Sequence, residues 1–259
     1  MRISTRIALA ATAALALTLG AAQAQDKKIT IATEGAYPPF NNLTSDGKLV
    51  GFDVDIANAL CDEMKVKCEI VAQEWDGMIP ALQAGKFDAI IAQMSITPER
   101  KEKIDFSKKY INTPAVIAAA KDSDIKGVTK EDLAGKTIGV QGSTIHYNYA
   151  EKVFTDSTIK SYPSAEEYKL DMANGRLDAV SDDLVSISQW LETADGACCK
   201  IVGTIPNMPE IHGEGAGVGV RKGDTALADQ FTAAIAAIRA NGKYKEINDK
   251  YFKFDVYGD

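Results

Sequence analysis

Arg100 is the residue whose surroundings indicate binding chemistry most directly. It follows a short apolar run that predicts a buried strand over residues 87–94. Thr97 can cap a helix that begins at Pro98, because proline suits the first helical position. The amides of that helix start and the Arg100 guanidinium would then face the crevice beyond the strand's carboxyl end, where a carboxylate could use both arms of the guanidinium. This stretch predicts an anion site, and the alternative is a solvated arginine at a helix start.

The elements that position this site belong to a chain with an export signal. Residues 1–24 contain Arg2 and Arg6, an apolar stretch and the small-x-small sequence Ala22-Gln23-Ala24, a pattern typical of a cleaved signal peptide. The mature chain would begin near Gln25. Removal of the two arginines changes the formal net charge from −7 to −9, which argues against nucleic acid and anionic membranes as partners.

Four cysteines follow in the exported chain, where oxidation is expected. Three pairings are formally possible. We favour a bond between Cys61 and Cys68, which closes a small loop and contributes about 2.5 kcal/mol in the chain-entropy model. For the adjacent Cys198 and Cys199, two free thiols, a vicinal disulfide and a crosslink between molecules all stay open.

The remaining chain of about 235 residues has room for two α/β units of roughly 100 to 120 residues each. Apolar periodicity and turn residues predict two successive sets of alternating strands and helices. The predicted strands are 29–33, 66–72, 87–94, 137–140, 159–162, 177–181 and 216–221. The predicted helices are 52–64, 75–84, 145–154, 165–174, 227–240 and 244–252.

An internal similarity supports two units of like construction. Residues 82–90 and 172–180 share a helix end, a glycine, a basic residue, an apolar residue and an Asp-Ala pair. Asp88 and Asp178, at the strand starts, are therefore expected to be structural. Paired Asp53 and Asp55 can suggest a metal, but at a helix start they more often cap the helix and oppose its dipole. We expect no metal and no cofactor.

Specific motifs then connect the chain to a known family. With Gly51-Phe52-Asp53-Val54-Asp55-Ile56, and Leu60, Cys61 and Met64 after it, the sequence resembles the family 3 extracellular solute-binding proteins of ABC importers. The similarity covers essentially the whole mature chain. Residues 61–68 and the C-terminal residues 251–259 are most similar to the lysine/arginine/ornithine-binding and histidine-binding branch, in which the equivalent cysteines form a disulfide.

The resemblance implies an α/β fold of two lobes, the type II periplasmic binding protein fold, with ligand in the cleft between them. Lobe one would comprise residues 25–111 and 216–259, and lobe two residues 112–215. Two crossover strands, near 111–116 and 208–215, would form the hinge. The implied protein is a periplasmic monomer whose closed form docks on an inner-membrane ABC permease complex.

The family's ligand clamp falls on residues whose chemistry suits a zwitterion. The resemblance implies that Arg100 and the amides of Ser95 and Thr144 hold the α-carboxylate. Asp183 and the Ser95 hydroxyl would hold the α-ammonium, with help from the Gln93 carbonyl. Buried charges need such paired partners.

The side chain of the ligand has its own implied contacts. Tyr37 and Trp75 would sandwich it, and Glu34 would face its distal end, where a fixed negative charge selects a cationic or donor-rich group. Tyr37 and Trp75 could instead be ordinary lobe core. Asp183 could lie at the surface, since a slip of one residue would exchange it with Asp182.

Departures from the family pattern limit the inference about substrate. Ala92-Gln93 stands where relatives that bind basic amino acids commonly have two serines, and Ile145 stands where many have glutamine. The expected ligand is a basic L-amino acid such as arginine, lysine, ornithine or histidine. Glutamine and opines, which are amino-acid conjugates with an extra carboxylate, are the alternatives in the same role.

Two other functional classes compete with transport. A few exported proteins of this fold resemble cyclohexadienyl dehydratases, and Glu34 and Asp183 could serve as acid and base. Against an enzyme, the chain has only His146 and His212, no Gly-x-Ser-x-Gly elbow and no metal-ligand spacing. A sensory domain would usually be fused to a transmembrane segment, and no apolar stretch reaches the necessary length.

Overall fold

The computed structural model describes residues 28–258, and the predicted signal peptide lies outside them. Within this range the chain forms two five-stranded sheets and a small three-stranded sheet, surrounded by helices. Each large sheet is the centre of one lobe, so the expected two-lobed α/β fold is confirmed. No described helix is both long enough and apolar enough to cross a bilayer.

The first lobe is built on a mixed sheet with strand order β5-β1-β6-β13-β7. Its strands are β1 Lys28–Thr33, β5 Lys67–Ala72, β6 Ala89–Ile90, β7 Ile104–Ile111 and β13 Ala216–Arg221. The first three are parallel, and β13 runs antiparallel to both of its neighbours. The small sheet consists of β2 Ala36–Tyr37, β3 Asn41–Leu43 and β4 Leu49–Val50.

The second lobe repeats this plan with strand order β10-β9-β11-β8-β12. Its strands are β8 Ala115–Ala120, β9 Thr137–Gln141, β10 Thr158–Tyr162, β11 Ala179–Asp183 and β12 Cys199–Thr204. Strand β8 is antiparallel to β11 and β12, whereas β9, β10 and β11 are parallel. Both lobes therefore direct the carboxyl ends of three parallel strands towards a common crevice.

Helices cover the faces of both sheets. They are α1 Phe52–Met64, α2 Met78–Gln83, α3 Pro98–Lys103, α4 Ile145–Val153, α5 Ala165–Ala173, α6 Leu184–Leu191, α7 Pro209–His212, α8 Thr225–Ala240 and α9 Lys243–Tyr251. Helix α1 packs against α8 and α9. It begins after Gly51, where φ is +127° and a Cβ atom would lie 2.4 Å from the Phe40 carbonyl oxygen, so only glycine fits this turn.

The chain passes between the large sheets twice. Residues 112–114 join β7 to β8, and residues 205–215 join β12 to β13 and include α7. These two connections fall where the sequence predicts the hinge crossovers.

The similarity between the two lobes extends to two matching carboxylates. Asp88 accepts a hydrogen bond from the Thr30 amide at 3.0 Å, and Asp178 accepts one from the Thr137 amide at 2.7 Å. Each aspartate thus ties the start of one parallel strand to its neighbour. The expectation that both residues are structural is confirmed.

The strand predicted over residues 87–94 is much shorter than expected. Only Ala89–Ile90 pairs as β6, because Gln93 adopts a left-handed conformation with φ of +56° that turns the chain out of the sheet. The amide of Gln93 donates to the Tyr110 hydroxyl at 3.0 Å, and its side chain donates to Asp53 at 2.7 Å. Tertiary hydrogen bonds therefore override the local strand pattern.

The expectation that Asp53 or Asp55 caps α1 is wrong, since the helix has no side-chain cap. Asp53 is fully buried and accepts hydrogen bonds from Asn41, Gln93 and Tyr110 at 2.8, 2.7 and 2.9 Å. Burial raises its pKa to about 6 despite these donors. Asp55 instead pairs with Lys250 at 2.6 Å.

The four cysteines form two disulfides, one in each lobe. Cys61 and Cys68 form a disulfide at the end of α1, with Cα atoms 6.1 Å apart. Cys198 and Cys199 are bonded to each other at the start of β12, and no cysteine among the described residues is free. Of the three states left open for the adjacent pair, the structure has the vicinal disulfide.

Several elements were not predicted from the sequence. They are the small sheet β2-β3-β4, strands β7, β8 and β12, and helices α6 and α7. The β2-β3-β4 strands are only two or three residues long, which is too short for a period-2 pattern to indicate them.

Candidate functional site

A cavity of about 350 Å³ lies between the two lobes. Its volume is within the range of small-molecule sites. All eight residues predicted to bind ligand line it, although they come from both lobes and span 150 positions of the chain. They are Glu34, Tyr37, Trp75, Gln93, Ser95, Arg100, Thr144 and Asp183.

Arg100 is buried in this cavity rather than solvated, with 8% of its surface exposed. Thr97 caps α3 by accepting a hydrogen bond from the Arg100 amide at 3.2 Å, as the sequence predicts. The guanidinium donates to the carbonyl oxygens of Ser95 and Ser143, each at 3.1 Å, and lies 5.2 Å from the centroid of the Trp75 ring. Burial lowers the pKa of Arg100 to about 10, so it stays charged at neutral pH. Both partners are neutral carbonyls, which leaves the positive charge available to a carboxylate.

Ser95 and Thr144, whose amides are expected to bind the carboxylate, line the same cavity as Arg100. Ser95 bridges to β13 through its neighbours, with Ile96 donating to Gly215 at 2.8 Å and Gly217 donating to Met94 at 3.1 Å. The Ser95 amide therefore stays outside the ladder. Thr144 precedes α4 and caps it, because its hydroxyl accepts from the Tyr147 amide at 3.1 Å.

Asp183 lies at the other polar part of the cavity, where it caps α6. One of its oxygens accepts from the Val185 amide at 2.7 Å, and the other accepts from the Thr113 hydroxyl. Burial and the neighbouring Asp182 raise its pKa to about 7. A cation placed beside it would favour the charged form and lower that pKa.

Asp182 also lies at the cavity, so a slip of one residue would not move a carboxylate to the surface. It is 3% exposed and lines the same cavity. It accepts hydrogen bonds from the hydroxyls of Tyr37, at 2.6 Å, and Tyr168. Burial alone would raise its pKa, but His146, Lys169 and the two hydroxyls outweigh burial and keep the pKa below its usual value.

Glu34 supplies a third carboxyl group. The side-chain amide of Gln141, in the second lobe, donates to it at 2.6 Å. Burial raises the pKa of Glu34 to about 7, and Asp182 adds to this although the Gln141 hydrogen bond opposes it. The Glu34 position is therefore short of positive charge.

The aromatic residues serve both as core and as cavity wall. Tyr37 and Trp75 are 8% and 9% exposed and belong to hydrophobic clusters, that of Tyr37 including residues of both lobes, yet both line the cavity. The Trp75 indole donates to the Ser143 carbonyl at 3.2 Å across the cleft. The two interpretations of these residues, as core and as ligand contacts, are thus compatible.

The side chain of Gln93 is fixed within the first lobe. Its side chain is held by Asp53 within the first lobe, so the position does not offer a freely rotating amide to a ligand. Its left-handed backbone keeps the residue at the cavity wall.

Sequence reasoning missed several cavity residues. Those near Asp182 and at the hinge are His146, Asn112, Thr113, Asn207, His212 and Gly258. The one available signal is the Asp182-Asp183 pair at the end of a buried strand, where an acidic residue must face either a partner or the crevice. The hinge residues lie in irregular segments, whose spatial neighbours no periodicity reveals.

Comparisons with known proteins agree with this geometry. The family model for bacterial extracellular solute-binding proteins, family 3, matches residues 29–254. An L-arginine-binding protein of Pseudomonas aeruginosa is 50% identical over 238 residues, covering 91% of this chain and 92% of the relative. An octopine-binding periplasmic protein of Rhizobium meliloti is 40% identical, covering 94% and 96%.

A solved structure shows the same fold. It is a Salmonella typhimurium periplasmic binding protein described as having high arginine specificity, with a TM-score of 0.80 and 33% identity. The alignment covers 88% of this chain and all of that one. The protein is therefore a member of the bacterial extracellular solute-binding proteins, family 3.

Proposed function

We propose that this protein is the periplasmic binding component of an amino-acid ABC importer and that it binds a basic L-amino acid, with arginine the first candidate. The supporting observation is the charge pattern of the cavity. One buried guanidinium, Arg100, is matched by the half-buried carboxyls Asp183 and Glu34, whose pKa values burial raises to about 7. This pattern suits a ligand with one carboxylate and two cationic groups.

In the proposed pose, Arg100 and the Ser95 and Thr144 amides bind the α-carboxylate. Asp183 binds the α-ammonium. The ligand side chain passes between Tyr37 and Trp75, and its cation meets Glu34. The P. aeruginosa relative, which is named for arginine binding, supports this choice.

Binding is proposed to be coupled to closure of the lobes about the segments 112–114 and 205–215. The structure has the closed arrangement, since side chains of the first lobe bond to the second at four places outside the hinge segments. These are Glu34–Gln141, Tyr37–Asp182, Trp75–Ser143 and Arg100–Ser143. We assign residues 25–111 and 216–259 to lobe one and residues 112–215 to lobe two.

The rest of the proposed role follows from the family. We expect a cleaved signal peptide of residues 1–24, a monomer in the periplasm, and an inner-membrane ABC permease that recognises the closed form. Glu34 and Asp183 are expected to neutralise ligand cations and not to act as acid and base, so we expect no turnover.

A thermal-shift panel on the mature protein tests this proposal. The panel contains the twenty L-amino acids, ornithine, octopine and D-arginine, with prephenate and arogenate assayed for turnover. At 100 to 1,000 times its Kd, the ligand should stabilise the protein by about 2.7 to 4.1 kcal/mol, or several degrees in Tm. Absence of any shift would refute amino-acid binding, and turnover of either dehydratase substrate would favour an enzyme.

An opine is a second candidate because the cavity continues past Asp183 to the hinge. Its lining there includes Asn112, Asn207 and Gly258, and both asparagines are exposed. A substituent on the α-nitrogen of arginine could leave the clamp in this direction. The R. meliloti relative named for octopine binding adds support. Direct competition between arginine and octopine, measured by calorimetry, separates the two candidates.

A further inference from the structure

Asp182 lies at the centre of a hydrogen-bonded network that the ligand clamp does not require. Its Oδ1 atom accepts from the Tyr37 hydroxyl at 2.6 Å and lies 3.4 Å from His146 Nε2. Its Oδ2 atom accepts from the Tyr168 hydroxyl. With 3% exposure, this carboxylate exchanges water for the two hydroxyl donors.

The two tyrosines reach Asp182 from different lobes. Tyr168 is in α5, which belongs to the second lobe like Asp182 itself in β11. Tyr37 is in β2, in the first lobe. The Tyr37 bond therefore joins the two lobes, whereas the Tyr168 bond lies within the second lobe.

The charges around Asp182 keep it an anion. Lys169, in α5, is 7% exposed, donates to the Ser186 hydroxyl at 2.7 Å and lies 5.9 Å from the Tyr37 ring centroid. His146 faces it from α4, while Glu34 and Asp183 are the nearby acidic groups. A hydrogen bond from a hydroxyl to a carboxylate is stronger than one to a neutral acceptor.

The other bonds across the cleft have weaker or different acceptors. Trp75 and Arg100 both donate to the Ser143 carbonyl, and Glu34 is the group assigned to the ligand cation. Tyr37–Asp182 is thus a charge-assisted bond between the lobes that uses no group assigned to a ligand charge.

We infer that Asp182 is a positioning residue that fixes the Tyr37 ring through its hydroxyl and latches the two lobes in the closed form. The latch slows opening and so lengthens the residence time of the ligand. It also favours closure in the ligand-free protein. The inference rests on the proposed closure motion but not on the identity of the ligand.

The test compares Tyr37→Phe with Tyr168→Phe. Each variant removes one hydroxyl from the same carboxylate and keeps the ring, but only the first removes a bond between lobes. For Tyr37→Phe we expect koff for arginine, measured by stopped-flow fluorescence, to rise about 10- to 100-fold with little change in kon. For Tyr168→Phe we expect less than about a threefold change in koff, since its bond is not broken on opening.

A double-mutant cycle separates the latch from a direct contact between the Tyr37 hydroxyl and the ligand. Asp182→Asn should raise koff in the same way, and adding Tyr37→Phe to it should change koff by less than about threefold because the bond is already weakened. Circular dichroism checks that each variant is folded. Independent, multiplicative effects of the two substitutions would overturn the inference, as would equal effects of Tyr37→Phe and Tyr168→Phe.

Small-angle X-ray scattering of the ligand-free proteins gives a readout that needs no ligand. Tyr37→Phe should have a larger radius of gyration than both the wild type and Tyr168→Phe. If the wild type bound no amino acid or opine, the proposed function would fail. The scattering would then decide the latch alone, and identical radii for the three proteins would refute it.

Discussion

Replacing Glu34 by glutamine should change which ligand binds best rather than whether ligands bind. The substitution keeps the shape of the side chain and leaves an oxygen that can accept from Gln141, which donates to Glu34 at 2.6 Å. It removes the negative charge assigned to the distal cation of the ligand. The carboxylate clamp at Arg100 is unaffected, since it lies on α3.

The magnitude follows from the environment of Glu34. Two unit charges about 4 Å apart attract by roughly 4 kcal/mol at an effective dielectric constant of 20. The substitution also removes the free-energy cost of burying the charged carboxylate, the cost that raises the pKa of Glu34 to about 7. This gain offsets part of the lost attraction. The net loss should therefore approach that of a charge-assisted hydrogen bond, about 1.5 to 3 kcal/mol. This is roughly a 10- to 100-fold increase in Kd for arginine.

Calorimetry at pH 8, where Glu34 is ionised, measures this effect with arginine and glutamine as paired ligands. Glutamine carries no distal charge, and its Kd should change by less than about threefold. Glu166→Gln is the matched control, because Glu166 is exposed and influences Glu34 only electrostatically. Equal weakening of both ligands by Glu34→Gln, or an effect of Glu166→Gln of the same size, would refute the assignment of Glu34.

Three further results are expected. Arg100→Ala should weaken the binding of every amino-acid ligand by at least about 100-fold in calorimetry, because the carboxylate clamp is common to all. A loss of affinity confined to arginine would contradict this prediction. Burial raises the pKa values of Glu34 and Asp183 to about 7 in the closed form. Cation binding below pH 7 must therefore release protons, and arginine affinity should rise from pH 5.5 to pH 8. Calorimetry in buffers of different ionisation enthalpy detects the proton release, and an affinity that falls over this pH range would contradict the prediction. Replacing both Cys61 and Cys68 by serine should lower the free energy of unfolding by about 2.5 kcal/mol in a denaturant titration. The same change at Cys198 and Cys199, whose bond closes no loop, should have little effect. Equal losses of stability in the two double variants would contradict the loop argument.

Local patterns predicted those parts of the fold that local interactions decide. The Thr97-Pro98 cap, helix α1 and the Asp88 and Asp178 strand starts all depend on neighbours in sequence or on a repeated motif, and all were confirmed. The strand ending at Gln93 was predicted too long, because its end depends on Asp53, which lies 40 residues earlier. Asp53 itself was assigned to capping because its first-turn position gives no sign of the three donors that surround it.

The candidate site divides in the same way. The residues proposed to bind the common features of an amino acid lie in family motifs, so the resemblance could place Ser95, Arg100 and Thr144 in one cavity. The residues that set the environment of the variable part meet only across the closed cleft. Tyr37 and Asp182 are 145 positions apart, and Glu34 and Gln141 are 107 apart.

Such pairs join residues of lobes that are built on different sheets, so the local sequence around one partner does not indicate the other. A substitution at one residue of such a pair can therefore change closure or specificity while the local sequence pattern of strands and helices stays the same. Asp182 illustrates this: from the sequence it was only a neighbour of Asp183, yet it carries the hydroxyl bond that joins the lobes. Specificity in this protein is accordingly expected to depend on pairs across the cleft, and paired substitutions in the two lobes are needed to change it predictably.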